Sequence, residues 1–240
     1  MIDWLRREIS EPAIMLGGTQ RPIAIRRHPT ARRMTLRLAP DGSEVRVTLP
    51  RWGRTREAIA FAETRRDWLE SQLARVPQQQ IIGPGATIAY LGAGLTIDWR
   101  ADLPRTPRLE GARLVLGGPE AGLARRVQRW LEGEALRLLQ ADLAGYCAAA
   151  DRPVPPLRLS RAQRRWGSCS SNGTVRINWR LVQAPDFVRR SVVAHEVAHL
   201  VHFDHSAAFH ALLRMIYEGD TGAADRWLKR EGRGLYASFG

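Results

Sequence analysis

Cysteine occurs only twice in the 240 residues, as Cys147 and Cys169. Two cysteines so far apart exclude a disulfide framework, and without paired spacing they exclude a cysteine zinc site. Both read as reduced, partly buried thiols. No apolar run approaches the roughly 18 residues of a membrane span. The opening Met1-Ile2-Asp3-Trp4-Leu5-Arg6-Arg7 contains an acidic residue and no apolar signal region, so a cytoplasmic protein is expected. Internal repeats, low-complexity tracts and any G-x-x-x-x-G-K-[ST] phosphate loop are also missing. Lysine is nearly absent: Lys229 stands alone, and arginine carries almost all of a net charge of +13. Such a balance favours polyanions, nucleic acid among them. An arginine bias of this kind also follows from genome composition, and it names no partner.

What is present is an ordinary globular composition, 44% apolar, enough for one large or two small domains. Alternation over Pro22–Arg27, Met34–Leu38 and Val45–Leu49 predicts strands, the last two joined as a hairpin through Pro40-Asp41-Gly42-Ser43. Helical spacing runs from Thr55 to about Val76. Short strands follow over Thr87–Leu91, Leu95–Trp99 and Arg113–Leu116, and Gly117-Gly118-Pro119 marks the best boundary. Glu120 to about Ala150 reads as one long helix or two. The fold class expected is therefore α+β, with an N-terminal β-rich module over 1–118 carrying one long helix and a catalytic domain over 119–240.

The chemistry lies in the second part. His195-Glu196-Val197-Ala198-His199 fits H-E-x-x-H, which on a helix stacks two imidazoles on one face at the separation one zinc ion requires. Glu196 follows the first histidine, so its carboxylate can lie beside the metal as a general base. Zinc with three protein ligands and an open position lowers the pKa of a water there to about 7. The third ligand must come from His202, His205 or His210. His202 would place all three along one straight helix. His205 stands ten residues after His195, the third-histidine spacing of the H-E-x-x-H-x-x-G-x-x-H zincins, and is chosen. Because His202 occupies the position of their glycine, a different turn is expected, with Ser206 capping the next helix.

Upstream, Gln163 to Arg180 contains the hairpin signal Asn172-Gly173, predicting two paired strands just before the zinc helix. Such a strand can bind an extended peptide by β-augmentation. Arg165, Trp166 and Ser168 are then candidate substrate contacts.

Assembled in order, Arg165-Trp166-Gly167-Ser168-Cys169, Asn178-Trp179-Arg180-Leu181, His195 to Leu200 and His205-Ser206-Ala207-Ala208-Phe209 resemble the YgjP-like family of metal-dependent hydrolases, a relative of SprT-like and WLM zincin domains. The resemblance extends over nearly the whole chain. It implies a zincin-like catalytic domain, its H-E-x-x-H helix beside a small antiparallel sheet. It also implies zinc on His195, His199 and His205 with Glu196 catalytic. The family is labelled a metallopeptidase, while members are also assigned a nucleoside-triphosphate pyrophosphatase activity on UTP. Three readings follow: a zinc peptidase, which leads; a nucleotide phosphohydrolase using the same zinc site; and a zinc-stabilised nucleic-acid-binding module. An intact Glu196 argues against the last, since a structural site gains nothing from a base beside an open position.

Overall fold

Alternating burial builds the first sheet. The structure, a computed structural model, describes residues 12–39, 41–76 and 80–239; the opening segment, for which the sequence leaves helix or arm open, lies outside the described residues. Strands β1 (Ala13–Leu16) and β2 (Thr19–Arg27) pair antiparallel around Gly17 and Gly18, whose φ values of 56° and 75° suit glycine. Strand β3 (Thr35–Leu38) forms the expected antiparallel hairpin with β4 (Val45–Leu49), and β4 runs parallel to β2, giving the order β1-β2-β4-β3. Ile14, Leu16, Ile23, Val45, Val47 and Leu49 are buried together with Ala58, Ala62 and Leu69.

The single helix expected over Thr55–Val76 is two helices, α1 (Thr55–Glu63) and α2 (Arg66–Leu73). Thr64 Oγ1 donates to the Phe61 carbonyl at 2.9 Å, and Arg65 sits at φ −112°, ψ 18°, off the helical conformation. A threonine hydroxyl that bonds back to the preceding turn weakens a helix there.

Two compact units emerge, Met1–Gln78 and Gln79–Gly240. The boundary expected at 118/119 does not coincide with this division. The reason is a shared core: Ile88, Leu95, Ile97, Leu114 and Leu116, all before residue 118, are buried in one cluster with Leu131, Leu139 and Val197. Their strands are β5 (Thr87–Tyr90), β6 (Ala93–Trp99), β7 (Arg108–Glu110) and β8 (Arg113–Leu116), in the order β5-β6-β8-β7. The pairing senses match those of the first sheet, antiparallel, parallel, antiparallel. The repetition is one of topology, which leaves no repeat of residues in the sequence.

Helix α3 (Leu123–Ala149) is one uninterrupted helix that buries Leu123, Val127, Leu131, Ala135, Leu139 and Leu143, every fourth position along one face. Beyond it, β9 (Leu157–Ser160), β10 (Gly167–Cys169) and β11 (Val175–Asn178) form a sheet in the order β10-β11-β9. The Asn172-Gly173 turn joins β10 and β11 antiparallel as expected, with Gly173 at φ 80°. The sheet is nevertheless mixed and not wholly antiparallel, because β11 runs parallel to β9. That arrangement leaves β10 at the edge. A buried 3-10 turn, Trp179–Gln183, then leads into α4 (Asp186–His199), followed by α5 (Ala207–Ile216) and α6 (Thr221–Glu231). Among the described residues no helix is long and apolar enough to cross a membrane.

Helix α4 is locked to α3 by charge. The Arg189 side chain, 3% exposed, reaches Asp142 of α3 at 2.7 Å and Asp186 at 2.6 Å. Removing one partner of a buried pair strands the other without solvent. Asp142→Ala is therefore expected to cost about 3 kcal/mol, read as a fall in the urea midpoint. An unchanged midpoint would mean that Asp186 alone satisfies Arg189.

Candidate metal centre

One turn of α4 separates His195 from His199, and the helix stops there, with Leu200 as its last half-helical residue. The chain then reverses. Asp204 accepts from the Ser206 N–H at 3.3 Å, and Ser206 Oγ accepts from the Phe209 N–H at 3.4 Å, starting α5 as expected of an N-cap. The reversal returns His205 to the helix face. Its Nε2 lies 3.3 Å from His195 Nε2, which lies 3.1 Å from His199 Nε2. One donor atom from each of the three falls within 4.8 Å of the others, so this set could hold a metal ion.

His202, which stands at the glycine position of the H-E-x-x-H-x-x-G-x-x-H pattern, contributes its backbone. Its carbonyl accepts from His199 Nδ1 at 3.0 Å. A carbonyl can only accept, so the proton sits on Nδ1 and the Nε2 lone pair is free to face the shared point. Burial, with His199 and His205 alongside, pushes the His195 imidazole down to about 4. It is neutral at pH 7, the form that ligates metals. His210 is exposed, its ring centroid 6.4 Å from that of His205, and it stands apart from the trio.

Phe209, which the sequence reading did not single out, packs against all three imidazoles, with centroid distances of 5.0, 4.6 and 4.9 Å to His195, His199 and His205. It is wholly buried. The available signal was the Ser206 cap, which fixes Phe209 in the first turn of α5.

Glu196 is 6% exposed. Burial raises its carboxyl to about 7, opposed by the Cys169 N–H bonded to it and by the charge of Arg165. A divalent cation beside it would draw the value back down. The carboxylate is boxed in by the backbone of β10: a Cβ built on Gly167 would lie 2.3 Å from Glu196 Oε1 and 2.7 Å from its Cγ. Only glycine fits there. This constraint is invisible in a sequence read without knowing that β10 meets α4.

Two clefts open on the cradle. A smaller one, about 290 Å³, is lined by Gly167, Ser168, Cys169 and Phe203 with the three histidines and Glu196. A larger one, about 460 Å³, touches His195 and Glu196 and extends between α4, α5 and α6 past Trp166. Trp166 also rests on Tyr236, centroids 5.7 Å apart, and its carbonyl accepts from the Asn178 N–H at 2.7 Å. Of the three residues nominated as substrate contacts, Ser168 and Trp166 thus border the clefts. Arg165 is exposed and lines neither; it reaches Glu196 only through its charge. Burial and the Glu196 charge raise the Cys169 thiol, keeping it protonated.

Comparison with curated proteins and with solved structures gave no match. The model of the YgjP-like metallopeptidase domain does match, over residues 32–231. That span contains both compact units' helices, the β10 edge, Glu196 and the histidine trio with its returning loop, and the chain belongs to the YgjP-like family.

Proposed function

We propose that the protein is a zinc-dependent peptidase in which His195, His199 and His205 hold the metal and Glu196 is the catalytic base. Three imidazoles suit zinc. A tetrahedral ion with bonds of about 2.0–2.1 Å sets its nitrogens about 3.3 Å apart, against the 3.1 and 3.3 Å between the paired Nε2 atoms. When bound, the metal would supply Lewis acidity toward a carbonyl oxygen and toward water. The rest falls to the chain. Glu196, beside the trio but outside it, accepts the proton of the attacking water and returns it to the leaving amine. Edge strand β10 offers backbone groups other than the Cys169 N–H, which Glu196 already takes, to an extended substrate, holding its scissile bond over the cradle.

The observation that carries the peptidase reading is the chemistry of the two clefts. Among the described residues neither lining includes an arginine or lysine. A triphosphate brings several negative charges that such a site must neutralise. The basic charge gathers elsewhere: Arg105, Arg125, Arg126 and Arg129 line a separate groove with Trp130, which shares no residue with either cleft.

The test is turnover by the zinc-loaded protein on unfolded casein and on a panel of nucleoside triphosphates. Peptide products without pyrophosphate release are expected. Pyrophosphate release without peptide cleavage would overturn the reading.

A further inference from the structure

The arginine groove, about 630 Å³, lies along the start of α3. Gly122, Arg125, Arg126 and Arg129 line it at the three- and four-residue spacing that shares one helix face, with the ring of Trp130 beside them. The loop before β7 adds Arg105 and Pro107. Gly117 and Gly118, which carry the composition of a boundary, instead let that loop come close. A Cβ on Gly117 would collide with the Leu103 carbonyl, and one on Gly118 would lie 2.5 Å from Arg105 Cγ. Arg105 is thereby held near the chain that enters α3.

None of the four arginines pairs with a carboxylate among the described residues. Arg126 Nη2 donates to the Pro119 carbonyl at 2.6 Å, an uncharged acceptor that leaves its charge standing. The groove has no acidic lining residue, and the sequence has none between Glu120 and Glu132, the latter held by Arg161 at 2.7 Å. Unpaired like charges gathered in this way are relieved by a polyanion. We propose that this groove binds single-stranded nucleic acid, with the arginines on its phosphates and a base against Trp130. Guanidinium forks match phosphate oxygens, and Arg125 and Arg129 stand about 6 Å apart along the helix axis, so they address different points of one strand. Trp130 is half-buried, its ring held against Tyr90 with centroids 5.0 Å apart. An aromatic ring in a basic groove offers any unpaired base a stacking surface. A duplex keeps its base faces covered, and an acidic peptide brings charge without a base to stack. This inference does not depend on what the metal centre cleaves, since the groove shares no residue with either cleft.

The experiment is fluorescence anisotropy with full-length, zinc-loaded protein and a labelled oligothymidylate of about 12 nucleotides. Four phosphate contacts on a single strand, at about −0.7 each, give an expected slope of about −3 for log affinity against log salt. Each contact is worth about 5-fold at about 0.1 M salt, so the double variant Arg125→Gln/Arg129→Gln should bind about 25-fold more weakly. Both side chains are exposed, so its melting temperature should hold. Arg158→Gln/Arg176→Gln removes the same charge from exposed strand positions outside the groove and should keep most of the affinity. Equal losses in the two double variants would mean diffuse charge and overturn the groove. Trp130→Leu should lose about 10-fold with the salt slope unchanged, and Trp130→Phe, which keeps a ring, should recover most of it. Full affinity in Trp130→Leu would remove the stacked base, and with it the reason for a single strand. Competition then separates the sources of charge. Unlabelled single strand should displace the probe where a duplex of the same length, a free nucleoside triphosphate and polyglutamate do not. Preferential displacement by any of those three, or binding indifferent to salt, overturns the proposal.

Discussion

Glu196→Gln should lower kcat on peptide substrate by about 100- to 10,000-fold, the contribution of a positioned general base, while one equivalent of zinc remains bound. Glutamine keeps the shape of the side chain, so it should stay beneath β10 without a clash. It cannot take a proton from water at any working pH. Because Glu196 lies outside the group of donors formed by His195, His199 and His205, the account separates metal retention from turnover. The paired measurements are metal content by mass spectrometry and initial rates on casein. Loss of zinc together with activity would place Glu196 among the ligands and not beside them.

Gly167→Ala should be nearly as damaging, though the residue carries no functional group. The added methyl would sit 2.3 Å from Glu196 Oε1, 2.7 Å from Cγ and 2.8 Å from Cδ. The whole carboxylate arm must move, since contact with Cγ cannot be relieved by turning its tip. Glu196 is 6% exposed and has little room to yield. A shift near 1 Å in a catalytic group costs about 100-fold in rate, and overpacking costs about 1–3 kcal/mol in stability. The expected result is a fall in kcat with zinc affinity retained and a lowered melting temperature. Wild-type kcat in this variant would mean that the approach of β10 to Glu196 has no bearing on catalysis.

A candidate site was easier to nominate from the sequence than the frame around it. His195, His199 and Glu196 were legible because helical periodicity is local: positions i and i+4 share a face whatever surrounds them. His205 was reachable because it stands ten residues after His195, the third-histidine spacing of the H-E-x-x-H-x-x-G-x-x-H zincins. The form of the turn was less accessible, since at His202 it is the carbonyl, common to every residue type, that holds His199. Phe209 and Gly167 were missed for a related reason. Each matters through what another element brings against it, three imidazoles in one case and a carboxylate in the other.

The frame was least legible where long-range pairing decides. Nothing local marks β11 as parallel to β9, so the sheet was expected to be antiparallel. Gly117-Gly118-Pro119 carries the composition of a linker, yet the strands before it and the helix after it bury their apolar faces together. A turn signal reports a change of direction, and only packing reports a change of domain. Arg165 precedes β10 in a bent stretch of chain and is exposed, while Trp166, Gly167, Ser168 and Cys169 after it border the clefts.

X-ray absorption at the zinc edge, on protein loaded with one equivalent, probes the centre most directly. The account predicts three nitrogen scatterers with imidazole character at about 2.0–2.1 Å, completed by light-atom scattering from the open position. His205→Ala should reduce the imidazole count to two. A sulfur shell at about 2.3 Å would bring Cys169 into the ligand set and contradict the centre described here.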